Sequence, residues 1–405
     1  MTNTAEILSR RARALGPTYA LFYDEPLHIV RAEGIWMYDA EGRRYLDAYN
    51  NVPVVGHCHP HVVDALARQA RTLNTHTRYL VEQPLELAER LLATFPSEIG
   101  HVIYTCTGSE ANDLAVRVSK AATGGTGFII TDFAYHGTTE VISGMSPEDG
   151  TPLGPGVYAV SAPLGPDGPA KFAERVRTCI AAMRADNIRP AALLVDTIFS
   201  SDGIVTDPPG FLAGAVEEIR AAGGLFIADE VQPGFGRTGE HMWGFQRHGV
   251  TPDLVTLGKP MGNGHPVSAL AARPALLSAF ARRTRYFNTF GGNSVSCAVA
   301  LAVLDVIEKE RIVANAHASG SHLRAGLSRL AQRHPLLGEI RGAGLFVGVD
   351  LPTRAEATRI VNDLRHHGVL VGTTGRDANI LKIRPPLTIT TPEVDILLDA
   401  LDKSL

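Results

Sequence analysis

Short apolar segments alternate with amphipathic segments through the middle of this 405-residue chain, and this alternation restricts its fold more than any other feature. The apolar segments with the length of buried strands are HVIYTC (101–106), GFIIT (127–131), AALLVD (191–196), LFIADE (225–230) and DLVTLG (253–258). The amphipathic stretches cover 110–121, 170–185 and 209–222. Strands that alternate with helices of this length form parallel sheets with both faces covered. The pattern therefore predicts an α/β fold, in which ligands bind beyond the carboxyl ends of the strands.

The pattern changes after Asn293, which indicates a second, smaller unit. The segments after it predict helices at 294–310 and 312–333, a strand pair at 339–351, a helix at 354–367, a strand at 380–385 and a last helix from Pro392. Strands mixed with helices in this way suggest an α+β lobe. We therefore expect an N-terminal segment (1–50) that packs on the small domain, a large domain (51–295) and a C-terminal small domain (296–405).

Two shorter segments carry local signals. IWMYDAEGRRYLDAY predicts a hairpin around Glu41-Gly42, and the Gly- and Pro-rich segment 144–169 predicts a surface loop.

Composition narrows the class of protein. Lys and Arg number 38 and Asp and Glu 42, for a net charge of −4, which argues against nucleic-acid binding. The chain has no run of about 18 apolar residues and no apolar secretory signal, so we expect no membrane association. The four cysteines lack paired spacing, as in a reducing compartment. We therefore expect a cytoplasmic enzyme.

Charged residues follow two of the predicted strands. Asp229 and Glu230 come directly after four apolar residues, and Lys259 follows the next strand. A buried carboxylate needs a cationic or hydrogen-bonding partner, so an ion pair or a helix cap explains the acidic pair equally well. A desolvated lysine can act as a Schiff-base nucleophile, whereas a lone lysine more often reaches solvent or pairs with an acid.

The segment YTCTGSEANDLAVRVSK predicts a strand, a tight turn and a helix. The amides of Gly108 and Ser109 at the helix start would suit a phosphate group, although Ser109 as an ordinary N-cap explains the pattern too. Tyr135 could stack on a planar ring or pack in the core. Taken together, a phosphate cradle, an aromatic ring, a buried acid and a lysine at one sheet edge fit pyridoxal 5'-phosphate.

The sequence resembles the class III aminotransferases, members of the aspartate aminotransferase superfamily (fold type I). The segments that carry the resemblance are GSEAN (108–112), YHG (135–137), ADEVQPGFGRTG (228–239), GKPMGNG (258–264) and NTFGGN (288–293). The likeness extends from about Leu21 to the C-terminus. It implies a large domain with a mainly parallel sheet flanked by helices, plus a smaller α+β domain.

The resemblance implies a role for each residue at the sheet edge. Lys259 would form a Schiff base with the cofactor, and Asp229 would keep the pyridine nitrogen protonated so that the ring accepts electrons. Gly108 and Ser109 would bind the phosphate, together with Thr289 from the other subunit of a homodimer with shared active sites.

The other implied contacts surround the ring. Tyr135 and Val231 would pack on its opposite faces. Gln232 would contact the ring hydroxyl, and His136 would lie beside the ring.

The sequence departs from the family at two places that concern the substrate. VDTIFSSDG, with Asp196 and Phe199, replaces a Glu-Pro-Ile-Gln-Gly stretch, so the glutamate gate of ornithine-type members is not expected. In ILKIRPPL, Lys382 stands where many members have a carboxylate-binding arginine, and Arg384 follows on the same strand face. Both could bind an anionic group of the substrate, or they could be solvated surface charges. Arg78 could also meet such a group or have a structural role.

Some segments resemble one branch of the family, the ethanolamine-phosphate and phosphohydroxylysine phospho-lyases and related bacterial aminotransferases. These segments are LDAYNNVPVVGHCHP, LNTHTRYL and GKPMGNGHP. GHCHPH (56–61) could suggest zinc, but the family motif treats it as a turn before a helix, and we expect no metal.

The expected reaction is transamination from a primary amine or amino acid to a keto-acid or aldehyde acceptor. The alternative is a phospho-lyase that eliminates phosphate and ammonia from an O-phosphorylated amino alcohol such as phosphoethanolamine. A non-catalytic binding protein would be favoured if Lys259 or Asp229 were missing, and both are present.

Overall fold

The computed structural model describes residues 4–405, so residues 1–3 of the predicted N-terminal segment lie outside the described residues. The chain begins with helix α1 (Thr4–Leu15) and strands β1 (Ile29–Glu33), β2 (Trp36–Asp39) and β3 (Arg44–Asp47). β2 and β3 pair antiparallel, and Gly42 turns the chain between them with φ of 85°, a conformation that glycine adopts readily. The predicted hairpin is confirmed.

A large sheet occupies the middle of the chain. Its strands are β4 (His101–Thr105), β5 (Gly127–Thr131), β6 (Val157–Val160), β7 (Pro190–Asp196), β8 (Leu225–Asp229), β9 (Leu254–Leu257) and β10 (Ser268–Ala272). Their order is β4-β10-β9-β8-β7-β5-β6, and β10 runs antiparallel to both of its neighbours. The pairs from β9 to β6 are parallel. The predicted α/β fold with a mainly parallel sheet is confirmed, whereas β10 was not predicted.

Helices cover both faces of this sheet. They are α2 (Pro60–Thr72), α3 (Glu82–Leu92), α4 (Gly108–Thr123), α5 (Glu140–Ser143), α6 (Gly168–Ala185), α7 (Leu212–Ala221) and α8 (Pro274–Ala281). Successive strand residues point to opposite faces. Thus Ile129 and Leu193 pack in the cluster that contains α6 and α7, whereas Phe128 and Leu194 pack in the cluster that contains α4 and α8. Burial on both faces explains why these strands read as continuous apolar runs.

The C-terminal part contains the second unit. Its elements are α9 (Ser294–Lys309), α10 (Ile312–Arg333), β11 (Ile340–Ala343), β12 (Phe346–Asp350), α11 (Arg354–His366), β13 (Val369–Leu370), β14 (Gly372–Thr374), β15 (Ile380–Ile383) and α12 (Thr391–Ser404). A sheet of order β11-β12-β15-β14 lies among these helices. β13 instead pairs parallel with β3, with Val369 opposite Leu46. The division of the chain into three parts stays a prediction.

The prediction of a loop over 144–169 is wrong at its centre. Val157–Val160 forms β6, which pairs parallel with β5, and a short 3₁₀ helix occurs at Pro147–Asp149. Elsewhere in the chain, short 3₁₀ helices occur at Gly244–His248 and Lys259–Gly262. The strand has four residues between Gly- and Pro-rich flanks, so its periodic signal is too short to stand out.

Within residues 4–405, no helix has both the length and the apolar character needed to cross a membrane.

Candidate active site

A cleft lies at the carboxyl ends of the parallel strands, where open α/β sheets bind their ligands. Eight of the residues predicted from the sequence line it: Gly108, Ser109, Tyr135, His136, Asp229, Val231, Gln232 and Lys259. Gly137 and Asp196 complete the lining. The chain thus brings together residues from the ends of β4, β5, β7, β8 and β9, as expected for a parallel sheet.

Asp229 is the last residue of β8 and is buried, and hydrogen-bond donors surround its carboxylate. Oδ2 lies 2.7 Å from His136 Nδ1 and 2.9 Å from Asn112 Nδ2. Oδ1 accepts from the backbone amide of Val231 at 3.1 Å. Because an ionised carboxylate only accepts, Nδ1 of His136 is the protonated nitrogen of that ring. These contacts stabilise a negative charge on the floor of the cleft.

Glu230, next along the chain, has a different environment. Its carboxyl group accepts from Thr197 Oγ1 at 2.7 Å and from the backbone amides of Gly244 at 2.7 Å and Phe245 at 2.8 Å. Burial raises the pKa of Glu230 to about 8, although these hydrogen bonds oppose the shift. Glu230 therefore holds a loop together, which is the structural role that the sequence left open for this acidic pair.

Lys259 directly follows Gly258 at the exit of β9 and begins a 3₁₀ turn. Its Nζ lies 6.0 Å from the centroid of the Tyr135 ring. Burial lowers the pKa of Lys259, and the nearby Arg384 lowers it further, while Asp229 acts in the opposite direction. A lysine with a lowered pKa provides the neutral amine that acts as a nucleophile or a base.

The structure of the turn before α4 corrects one sequence-based alternative, that Ser109 is the N-cap of this helix. The N-cap is Thr107, not Ser109: Thr107 Oγ1 accepts from the amide of Glu110 at 3.1 Å, and Glu110 Oε2 accepts from the amide of Thr107 at 3.2 Å. Glu110 three residues after a threonine is the signal of this capping box. The amides of Gly108 and Ser109 have no acceptor within residues 4–405. They are therefore available to an anion at the positive end of the helix.

Glycine is required where the walls of this cleft meet. A Cβ on Gly108 would lie 2.9 Å from Val231 Cγ2, and a Cβ on Gly137 would lie 2.3 Å from Ser109 Oγ. Gly137 also has φ of 135°. The hydroxyl oxygen of Ser109 accepts from the amide of Thr138 at 3.0 Å, so its proton remains available to a ligand.

The residues present fit pyridoxal phosphate. Free amides face one end of the cleft, an anchored carboxylate and a lysine lie within it, and Tyr135 and Val231 both line it. Gln232 Oε1 accepts from Asn51 Nδ2 and from Arg384 at 3.4 Å. Its Nε2 donates no hydrogen bond in the described part of the chain and could serve a ring hydroxyl.

Lys382 and Arg384 are not solvated surface charges. Lys382 is 5% exposed, and its Nζ donates to Thr374 Oγ1 at 3.3 Å. Burial, and then the positive charge of Arg384, lowers the pKa of Lys382 to about 7. Arg384 donates to Asn51 Oδ1 at 3.1 Å and lies 4.7 Å from the centroid of the Tyr49 ring. Because Gln232 of the cleft accepts from Arg384, Arg384 borders the cleft, and Lys382 lies close enough to Arg384 for their charges to interact.

Two predicted residues do not reach the cleft of this chain. Arg78 is exposed, and its guanidinium lies 3.9 Å from the centroid of the Phe287 ring. Thr289 is exposed in the segment between α8 and α9. The predicted contacts of Arg78 with a substrate and of Thr289 with a second subunit stay predictions.

Sequence reasoning missed two residues of the site, Asn112 and Asp196. Asp196 ends β7 and accepts from the amides of Ile198 and Ser200, each at 3.0 Å. Burial and the neighbouring Asp229 raise the pKa of Asp196. Its position at a strand end is the same signal that identified Asp229, so the sequence did contain the clue.

The histidines of GHCHPH each contact a different carboxylate. His57 lies 2.7 Å from Asp47, and His59 lies 3.1 Å from Glu310. His61 lies 2.9 Å from Asp305. Pro60 then begins α2, so this segment is a turn that leads into a helix.

Comparisons with known proteins agree with this geometry. Residues 19–405 match the family model of aminotransferase class-III. The chain is 38% identical to alanine–glyoxylate aminotransferase 2 homolog 2, mitochondrial, from Arabidopsis thaliana, over 98% of this chain and 87% of the relative. It is 34% identical to ethanolamine-phosphate phospho-lyase homolog 1 from Caenorhabditis elegans, over 99% and 93%. A phospholyase from Arthrobacter, solved in complex with phosphoethanolamine, is 42% identical with a TM-score of 0.95 over 98% of this chain and 99% of that one.

Proposed function

Because this chain belongs to the class III aminotransferase family, whose members are pyridoxal-phosphate-dependent enzymes, we propose that Lys259 and Asp229 are its catalytic residues in a transamination. The match confirms the family resemblance, the fold type I architecture and the cofactor. The amino group would pass from a primary amine or amino acid to a keto-acid or aldehyde acceptor. The observation that carries the proposal is the cleft that holds Lys259 and the anchored carboxylate of Asp229.

In this proposal, the two ends of the cleft bind different parts of the cofactor. The amides of Gly108 and Ser109 bind its phosphate at the start of α4. Tyr135 and Val231 hold the ring between them, and Gln232 donates to the ring hydroxyl through Nε2.

The reaction needs a base near the substrate carbon and a fixed negative charge near the ring nitrogen. When bound, pyridoxal phosphate withdraws electrons from the carbon that carries the substrate amino group. Asp229 would accept a hydrogen bond from the protonated ring nitrogen. Lys259 Nζ would take a proton from the substrate carbon and hold it, as the resulting ammonium, for return within the same site. Its lowered pKa supports this role, because a base must be neutral before it accepts a proton.

The second candidate function is a phospho-lyase reaction on an O-phosphorylated amino alcohol. Two observations favour it: the similarity to the Arthrobacter phospholyase with phosphoethanolamine, and the pair of cations formed by Arg384, which borders the cleft, and buried Lys382 near it. In this reaction, Lys259 would take the same proton, the phosphate would leave with the electron pair of the C–O bond, and hydrolysis would then release ammonia and an aldehyde. Lys259 has the same role in both reactions, and so does Asp229. The group at the end of the substrate opposite its amino group therefore decides whether transamination or elimination occurs.

One experiment separates the two reactions. The holo-protein is incubated with phosphoethanolamine alone and, separately, with simple primary amines plus pyruvate. Transamination produces alanine from pyruvate, whereas lyase chemistry releases inorganic phosphate without an acceptor. Phosphate release without alanine formation from any amine would replace the first proposal by the second. The Lys259→Ala variant controls for contaminating enzymes in both assays.

The assembly and the location are also part of this proposal. We expect a homodimer in which Thr289 of one copy completes the phosphate site of the other. Its exposed position next to Phe290, which is 69% exposed, supports a contact outside the chain. We also expect a cytoplasmic location, which cell fractionation would test.

A further inference from the structure

Asn112 is a completely buried amide in the first turns of α4 that the sequence did not single out. Its Nδ2 donates to Asp229 Oδ2 at 2.9 Å and to the backbone carbonyl of His136 at 2.8 Å. Its Oδ1 accepts from Thr256 Oγ1 at 2.7 Å. A flipped amide would bring oxygen against both acceptors and lose all three bonds, so these contacts fix its orientation.

The bonds to Asp229 determine which part of its carboxylate remains available. An ionised carboxylate offers about four lone-pair positions. His136 Nδ1 and Asn112 Nδ2 occupy two positions on Oδ2, and the amide of Val231 occupies one on Oδ1. The free position is therefore on Oδ1. Rotation of the carboxylate would break these charge-assisted bonds, which are stronger than neutral ones.

We propose that Asn112 is a positioning residue that holds Asp229 so that its free Oδ1 position receives the protonated ring nitrogen of pyridoxal phosphate. Thr256 supports Asn112 from the neighbouring strand β9. The inference rests on the proposed function in taking Asp229 as the partner of the ring nitrogen. It holds equally for transamination and for phosphate elimination, because both use that partner.

The test compares two ligands that differ at the ring nitrogen. Pyridoxal phosphate and its 1-deaza analogue, which has C–H in place of the nitrogen, are each titrated into apo-protein, and dissociation constants are read from absorbance or tryptophan fluorescence. Asn112→Ala should weaken binding of pyridoxal phosphate by about tenfold or more, as expected for a bond to a charged group. Binding of the deaza analogue should change by less than about twofold, since it offers nothing to Asp229. Equal losses for both ligands, or no loss for either, would overturn the proposal.

Two further variants keep the test interpretable. Thr256→Val keeps nearly the same side-chain shape and removes the hydroxyl that donates to Asn112. It should therefore lower the preference for pyridoxal phosphate over the deaza analogue, but by less than Asn112→Ala does. It replaces Asn112→Ala if that variant fails to fold. Asn315→Ala is the matched control, because Asn315 in α10 also donates to two backbone carbonyls, those of Leu387 and Ile389. It should lower the melting temperature and leave the ratio unchanged.

The parent protein separates this inference from the proposed function. If the parent binds pyridoxal phosphate and the deaza analogue equally well, Asp229 is not the partner of the ring nitrogen, and the proposed role of Asp229 fails together with the inference. If the parent prefers pyridoxal phosphate and Asn112→Ala keeps the same preference, the inference about Asn112 alone fails.

Discussion

At the scale of single residues, the proposed reaction uses two ionisable groups of the cleft in different ways, the amine of Lys259 and the carboxyl group of Asp229. In the proposed reaction, Lys259 acts as a base only when it is neutral, and burial lowers its pKa. The proposed role of Asp229 needs a hydrogen-bond acceptor, and its carboxyl group receives donors from His136, Asn112 and Val231. The two groups thus differ in their surroundings: three donors surround the carboxyl group of Asp229, whereas desolvation dominates at Lys259.

We predict that Lys259→Ala abolishes turnover while the protein still folds and binds the cofactor. The remaining contacts, the amides of Gly108 and Ser109 and the carboxylate of Asp229, do not involve Lys259. Borohydride reduction of the parent holo-protein should attach the cofactor to the peptide that contains Lys259, as peptide mass spectrometry would detect. Attachment to any other lysine would refute the assignment.

We predict that Lys382 gives the reaction with an anionic substrate a pH dependence. Only the protonated form attracts an anion, and its pKa is lowered to about 7, so the free protein loses this charge as pH rises through that value. Because kcat/KM reports groups of the free enzyme, kcat/KM for phosphoethanolamine should fall above about pH 7. Lys382→Met should lose this dependence, and a neutral amine should not have it in the parent. An unchanged profile in Lys382→Met would mean that another group titrates.

At the scale of elements, buried Lys382 lies in β15, and partly buried Arg384 follows one residue after the strand ends. We predict that Lys382→Ala and Arg384→Ala each lower kcat/KM for an anionic substrate about ten- to hundredfold, the value of a hydrogen bond to a charged group, roughly 1.5–3 kcal/mol. A neutral amine should be spared. Equal losses for both substrates would indicate a structural role, which is a real alternative for Arg384 because it contacts Asn51 and Gln232.

The predictability of each element depends on how local its signal is. β5, β7, β8 and β9 were found because each is an apolar run buried on both faces. β10 was missed because its sequence, SALAA, is rich in alanine and has little strand preference of its own. It is a strand because it fills the space between β4 and β9.

The candidate site follows the same rule. Asp229 and Lys259 were predicted because each stands at the carboxyl end of an apolar run, which is visible in the sequence. Asn112 was missed because its partners Asp229 and Thr256 are 117 and 144 residues away along the chain. Within α4 it looks like any polar residue of a helix, and folding alone brings its partners to it.

At the scale of the whole molecule, an exposed apolar surface accompanies the segment between α8 and α9. Phe287 and Phe290 are 42% and 69% exposed, and Tyr79 and Leu80, near Arg78, are 67% and 101% exposed. His76 contacts both Tyr79 and Phe287, so these two segments lie side by side. Exposed apolar patches of this kind commonly mark protein interfaces.

We predict that this surface forms a homodimer interface and that the dimer is needed for full cofactor affinity. Phe290→Asp should give a monomer by sedimentation, because a carboxylate buried in an interface without a partner is strongly unfavourable. Thr289→Ala should leave the dimer intact and weaken cofactor binding by about tenfold, since it removes one hydrogen bond to a charged phosphate. Ile396→Asp is the matched control, because Ile396 in α12 is also exposed (40%) and should accept a carboxylate in the monomer and in the dimer.

A parent protein that sediments as a fully active monomer at assay concentrations would contradict the shared site. If Thr289→Ala bound the cofactor as tightly as the parent does, the phosphate site would be complete within one chain, held by the amides of Gly108 and Ser109.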